Sequence, residues 1–214
     1  MTRKKQLPWR EAVREVMFEA TLAELQARHG TTKTSFNYRW EHVTTVVTLS
    51  IRLAGLTGAD AKIVEAAAWL HDIRKFADGD AHPLTGAAFA RDFLPTTDFP
   101  VAKIEPVAAA IADHMGLWRD EPLTNLEAQV LWDTDKLAKI GLTAVFHWTG
   151  GSLAGSKMQT LDKLIQRGRA NDWQAKTVAS MHTAPARRAA QARYQAYLRL
   201  YDALEAELNG EDLE

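Results

Sequence analysis

Six side chains in the middle of the sequence carry the donor types that bind divalent cations: His42, the adjacent pair His71-Asp72, His82, His114 and Asp135. Neutral imidazole and carboxylate together suit zinc, iron, manganese or nickel. No one of them is informative alone, and an adjacent His-Asp pair such as the one in "WLHDIRKF" is an ordinary event. Their spacing to apolar neighbours says more. His42 lies four residues before Val46, and His71 four after Ala67. His114 follows Ile111 by three, and Asp135 follows Leu131 by four. On a helix these offsets put each donor on the same face as the apolar residues. His82 opens a further helix after the acidic turn "ADGDAHP".

Four consecutive segments therefore aim a polar group at the interior. An unpaired buried carboxylate costs about several kcal/mol, and each buried imidazole needs a partner. A divalent cation bound by all of them removes that cost, and helix bundles build metal sites from facing helices in this way. Taken singly, the same residues read as ordinary structure: a hydrogen-bonded core histidine, or Asp135 paired with Lys139 one turn on. Asp133 and Lys136 read as a solvated face. His29 reads as the end of a helix, and His147 and His182 as surface or loop histidines. Only the joint arrangement favours an ion.

The elements that must position these groups are helices nearly throughout. Trp9, Val13, Val16, Ala20, Ala23 and Ala27 mark a first helix closed by His29-Gly30. Helices are expected at 36–54 and 59–74, and from Pro83 to about Leu94, before a loop at "LPTTDFP". A fifth carries Ile104 to Ile111 and stops near Gly116. A sixth runs from Thr124, an N-cap with Glu127 three residues on, to Ile140. The glycine-rich "GLTAVFHWTGGSLAGS" is expected to be a flexible connection. A long last helix at about 185–208 bears Tyr194, Tyr197 and Tyr201, read as core or homodimer contact. The chain reads as all-α, a single-domain helical bundle: an N-terminal helix and connection at 1–35, a metal-binding core at 36–150, and C-terminal helices at 151–214 packing on it.

Composition bounds the partners. A net charge of −1 over 214 residues gives no case for nucleic acid or an anionic membrane, and Arg3-Lys4-Lys5 is only a short solvated tail. The absence of cysteine excludes disulfides and thiolate sites. Without an apolar signal core or a long apolar run, a cytoplasmic location is expected.

The ordered set resembles the HD superfamily of metal-dependent phosphohydrolases, whose pattern is a His, then His-Asp, then a distant Asp on consecutive helices. The matching pieces are "RWEHVTTVV", "AAAWLHDIRKF" and "EAQVLWDTDKLAKIG". The last is similar to the family's "DADRLDAIG", and within it Asp135 rather than Asp133 matches the ligand. "HPLTGAAFA" and "AAAIADHMGLW" resemble the extra histidine segments of the subgroup with two metals. The C-terminal "SMHTAPARRAAQARYQAYLRLYDALEAEL" resembles the tail of small bacterial HD hydrolases. Arg74 stands where many relatives have glycine. The GYP element of the cyclic-dinucleotide phosphodiesterases is missing, and the segment after Asp135 differs from that of the diadenosine-tetraphosphate hydrolases. The substrate stays open.

The resemblance implies an all-α fold and a centre of two divalent ions, of manganese, iron, nickel, cobalt, zinc or magnesium. His42, His71, Asp72 and Asp135 would hold one ion, and Asp72, His82 and His114 the other, with Asp72 bridging. Water activated there would hydrolyse a phosphate ester or anhydride of a small nucleotide-like substrate. A one-metal site would leave His82 and His114 for substrate or proton transfer. Asp72 and Lys75 are the expected catalytic residues, with Lys75 steadying a phosphate oxygen or the leaving group. Its alternative reading is a surface lysine at a helix C-terminus. Arg39 and Lys136 flank ligands and are the candidates for binding substrate, or else ordinary surface charge. Trp40, Trp118 and Trp132 could stack a base, with core packing the default. The same ligands would also serve a di-iron oxygenase, and a regulatory ligand-binding module is the third possibility.

Overall fold

A computed structural model describes residues 7–153, 160–170 and 173–213, so that Arg3-Lys4-Lys5 and the end of the glycine-rich stretch lie outside the described residues. The architecture is all-α. Its helices are α1 (Trp9–His29), α2 (Tyr38–Thr57), α3 (Ala61–Leu70), α4 (Lys75–Asp78), α5 (His82–Phe93), α6 (Ile104–Ala112), α7 (Leu126–Leu137), α8 (Gly141–Leu153), α9 (Leu161–Arg169), α10 (Trp173–Ala179) and α11 (Ala184–Asn209). Among the described residues, the bridge between Leu7 and Thr97 is the one extended pairing.

Helix α3 is the axis. Ile63 to Leu70 are all buried, as befits a helix that is apolar nearly all round, and it packs against α1, α2, α6 and α7. Asp60 starts it by accepting from the backbone N–H groups of Lys62 and Ile63. It stops at Leu70, earlier than the periodicity suggests, and His71 to Arg74 form a turn before the short α4. The His-Asp pair therefore sits on a helix end whose apolar approach is fully covered. Gly86 lets α5 lie against that end: a Cβ there would stand 3.3 Å from Ile111 Cγ2 and 3.6 Å from the carbonyl of His71.

Other boundaries depart from the sequence pattern for local reasons. In α1 the buried face runs through Trp9, Val13, Met17, Thr21 and Leu25, while Ala23 and Ala27 are exposed. Helix α6 ends at Ala112, short of Gly116. The N-cap of α7 is Asn125, whose side chain accepts from Ala128 N, rather than Thr124. Glu127 instead accepts from the N–H of Asp60, so no capping box forms.

The glycine-rich stretch is a helix, α8, as far as Leu153. Its glycines serve packing: a Cβ on Gly150 would meet the ring of Phe36 at 2.9 Å. Gly141, at φ +72°, begins α8 where a Cβ would stand 2.6 Å from that of Arg193 on α11, a turn and an approach that only glycine supplies. Helix α11 packs on α7, α8 and α2. Its Tyr197 and Tyr201 are buried on the chain's own helices, with Tyr197 Oη donating to the carbonyl of Gly168 at 2.6 Å.

Candidate metal centre

All six sequence-selected donors converge at the C-terminal end of α3. His42, His71, Asp72, His82, His114 and Asp135 are each buried, none more than 5% exposed. They form two triads whose donor atoms lie within 4.8 Å of one another: His42, His71 and Asp72, and Asp72, His82 and His114. Asp72 belongs to both. Its Oδ2 is 3.8 Å from His42 Nε2 and 3.6 Å from His71 Nε2. Its Oδ1 is 3.4 Å from His82 Nε2 and 3.6 Å from His114 Nε2. Asp135 closes the first group, with Oδ1 3.1 Å from His42 Nε2.

Backbone carbonyls set the imidazoles. His71 Nδ1 faces Ala68 O at 2.8 Å, His82 Nδ1 faces Gly79 O at 2.6 Å, and His114 Nδ1 faces Ile111 O at 2.6 Å. A carbonyl only accepts, so each Nδ1 carries the proton and each Nε2 presents a lone pair. The Nε2 atoms of His82 and His114 are nevertheless 3.0 Å apart, and those of His71 and His42 3.4 Å. Facing lone pairs, as on His82 and His114, repel unless something positive lies between them. Burial holds His71 neutral, its pKa pushed down to about 3, while against its own desolvation by burial Asp72 is held well below the usual carboxylate range by the Arg39 guanidinium. Neutral nitrogens around ionised oxygens are the donor set of a divalent cation, and the residues fit such an ion. Among the described residues, His42 is the ring of the four whose Nδ1 has no partner. Tyr38 stacks on it, at 6.2 Å between centroids.

The cations around the centre are placed differently from one another. Lys75 begins α4 rather than ending a helix, and its Nζ lies 3.4 Å from His82 Nδ1. Because that nitrogen donates to Gly79 O, the ammonium is a neighbour there and keeps its protons for another acceptor. Lys136 is 1% exposed, against the solvated face expected of it. Its Nζ donates to His114 O and Asp135 Oδ2, both at 2.6 Å, and lies 3.9 Å from the Trp132 centroid. Burial lowers it to about 8 against the pull of Asp135. Arg39 is not ordinary surface charge either: its guanidinium donates to Asp72 Oδ2 and to Glu24 Oε2. Both cations nominated for substrate are thus already engaged.

Asp133 is likewise fully buried rather than solvated, accepting from the N–H groups of His182 and Thr183 at 2.7 and 2.8 Å. His182 lies in a loop but is no surface residue, since its Nε2 accepts from Leu123 N and its side chain is 4% exposed. His147 is buried in α8, whereas His29 ends α1 and is exposed, as expected. Trp132 is buried, and Trp40 packs on Trp69 and Phe18. Trp118 is 45% exposed, outside the core.

A cavity of about 220 Å³ opens over Asp72, His82, His114 and Asp135, walled by Lys75, Lys139 and the segment Met115–Leu117. Lys139, whose Nζ is 2.6 Å from Asp135 Oδ1, is a wall residue that the sequence offered only as an ion-pair partner. Glu24 and Tyr38 carried no sequence signal, since each touches the centre through another residue.

Residues 39–140 match the family model of the HD domain. No curated protein matches the sequence. Among solved structures, a predicted HD superfamily hydrolase from an uncultured Thermotogales bacterium is similar, with a TM-score of 0.64, 22% identity and 94% of each chain covered. Bacillus subtilis YpgQ, solved in complex with ADP, aligns at a TM-score of 0.65 and 22% identity over 94% of this chain and 98% of its own. An HD-superfamily hydrolase from Bacillus thuringiensis aligns at 0.60 and 19%, over 92% and 98%. At these identities the likeness is one of fold, and it extends well beyond the matched segment. The helices that gather the six donors, residues 39–140, belong to the HD-domain family.

Proposed function

We propose that the protein is a metal-dependent phosphohydrolase that cleaves a phosphate ester or anhydride of a small nucleotide-like substrate. The observation that carries this reading is the carboxylate of Asp72, which offers one oxygen to each of two histidine pairs with inward-facing Nε2 atoms. Two divalent ions held there would supply a nucleophile from water near neutral pH and neutralise the oxygens of a transferring phosphoryl group.

The chain's own residues supply the rest. His42, His71, Asp72 and Asp135 hold one position, and Asp72, His82 and His114 the other. Lys75, at the cavity wall with its ammonium next to His82, steadies a nonbridging phosphate oxygen or the leaving group. A cavity of about 220 Å³ is smaller than sites that enclose a whole drug-sized ligand, about 300–1,000 Å³. It takes the phosphoryl end of a substrate and leaves the remainder over Met115–Leu117. The complex of YpgQ with ADP supports a nucleotide as that remainder.

The test is a screen of the purified protein, loaded in turn with Mn, Fe, Ni, Co and Mg, against phosphomonoesters, nucleotides, dinucleoside polyphosphates and cyclic dinucleotides. Phosphate release that chelation abolishes and added metal restores is the expected result. Uptake of iron with oxygen consumption and no hydrolysis would replace this reading with an oxygenase.

A further inference from the structure

Arg39 touches the shared carboxylate, and what holds Arg39 comes from outside the HD segment. Its Nη1 donates to Asp72 Oδ2 and its Nε, 3.2 Å away, to Glu24 Oε2. Glu24 belongs to α1, is 9% exposed, and takes Arg28 Nε on its other oxygen at 2.8 Å. The Arg39 side chain is itself only 13% exposed. Asp72 Oδ2 faces His42 and His71, while Oδ1 faces His82 and His114. Rotation of this carboxylate about its Cβ–Cγ bond would therefore spoil both positions together.

We infer that Arg39 is a positioning residue that locks the orientation of the Asp72 carboxylate, and that Glu24 of α1 completes the centre by aiming Arg39. This rests on the two-ion reading above. A planar guanidinium with two engaged N–H directions fixes a carboxylate in a way that the point charge of a lysine does not. The fork has one edge on Asp72 and one on Glu24, so neither partner can turn without breaking a charged hydrogen bond. An arginine reserved for substrate would carry a free edge towards the cavity. Here the cavity walls are Lys75, Lys136 and Lys139, and Arg39 is not among them.

The two roles separate by measurement. Wild type, Arg39→Lys and Glu24→Gln are dialysed against Mn and counted for metal per chain, and KM and kcat are taken for the best substrate from the screen. Positioning predicts that Arg39→Lys binds Mn about 10–100-fold more weakly, the usual scale for outer-shell partners of a metal ligand. Glu24→Gln, which keeps the shape and loses the charge, shifts affinity in the same direction by less. In both, kcat falls at subsaturating metal, excess metal restores it, and KM for substrate is little changed. If both variants bind Mn like wild type while KM rises, Arg39 is a substrate residue and the inference is overturned. If wild type itself takes fewer than two ions, the two-ion reading fails first and the bridge with it. Thermal melting of the metal-free variants guards against misfolding, and Glu24→Gln keeps the test open should Arg39→Lys fail to fold.

Discussion

His82 Nε2 and His114 Nε2 stand 3.0 Å apart, each ring donating its Nδ1 proton to a backbone carbonyl of its own segment. One ring comes from the start of α5 and one from the turn after α6, and they meet at 76° between planes. Two buried lone pairs at that distance are stable only around a positive charge, and the nearest carboxylate oxygen, Asp72 Oδ1, completes a triad.

That triad should empty by itself. His114→Ala is expected to lower the metal content from two ions per chain to one, because His42, His71, Asp72 and Asp135 remain. Asp72→Ala removes a donor from both positions and should leave the protein with neither ion, and without hydrolysis. Elemental analysis after gel filtration in metal-free buffer reads both outcomes. Equal metal content in the two variants would contradict the shared carboxylate.

Asp133 and Asp135 lie two residues apart on α7 and should behave as unrelated residues. Asp133 accepts two backbone N–H groups at the entry to α11. Its replacement by alanine leaves both unsatisfied, at a cost of about 3 kcal/mol on the scale of charged hydrogen bonds. Metal binding by the folded fraction should be unchanged. His182→Ala, which strands Leu123 N, should follow the same pattern at about 1–2 kcal/mol. Asp135→Ala should instead weaken metal binding. Urea denaturation read beside metal content distinguishes the three.

Much of this was legible from residue spacing, and the reason is specific. His42 and Asp135 share helix faces with Val46 and Leu131, so the helical period turns them inward. His71 and His114 lie just past the ends of α3 and α6, where the same spacing still points to the buried side and bonds to the carbonyls of Ala68 and Ile111 set the rings. The period fails on α7, where Asp133 and Lys136 are as buried as Leu131. From Val130 onward that helix is buried on every face, and its polar groups are satisfied by contacts far along the chain, at His114 and Thr183. The glycine run misled for a similar reason. Glycines read as flexibility until Phe36, more than a hundred residues earlier, is found packed on Gly150. Glu24 gave no sign at all, since its role depends on where Arg39 points.

Stability of the metal-free protein should fall on the acid side. His71 has its folded pKa depressed to about 3 from 6.5 by burial, and His42 is lowered as well. Below pH 6.5 the unfolded chain therefore binds protons that the folded chain refuses, and stability decreases as pH falls towards 3. Asp72 and Asp135, held below 3.8, add to the loss once pH passes below the unfolded carboxylate value. Urea midpoints of chelator-treated protein at pH 7.5, 6 and 5 should decline in that order. Excess metal should raise the midpoint at each pH without removing the trend, because the trend comes from protons taken up by the unfolded chain and the folded imidazoles hold none for the ions to displace. A midpoint independent of pH across this range would mean that the imidazoles are not held neutral.

Lys75 offers the sharpest separation of chemistry from metal binding. Its ammonium lies beside His82 but cannot hydrogen-bond the Nδ1 that already donates to Gly79 O, so no ligand depends on it. The side chain is half-buried at the cavity wall, at the first residue of α4. Lys75→Met keeps the aliphatic stem and removes only the charge. It should retain two ions and the wild-type melting temperature, while kcat falls by about 10²–10³, the scale for deleting one donor to a developing negative charge. A compensating rise in KM alone, with kcat intact, would place Lys75 in ground-state binding of the phosphate. A loss of metal in this variant would show that the ammonium supports His82 after all.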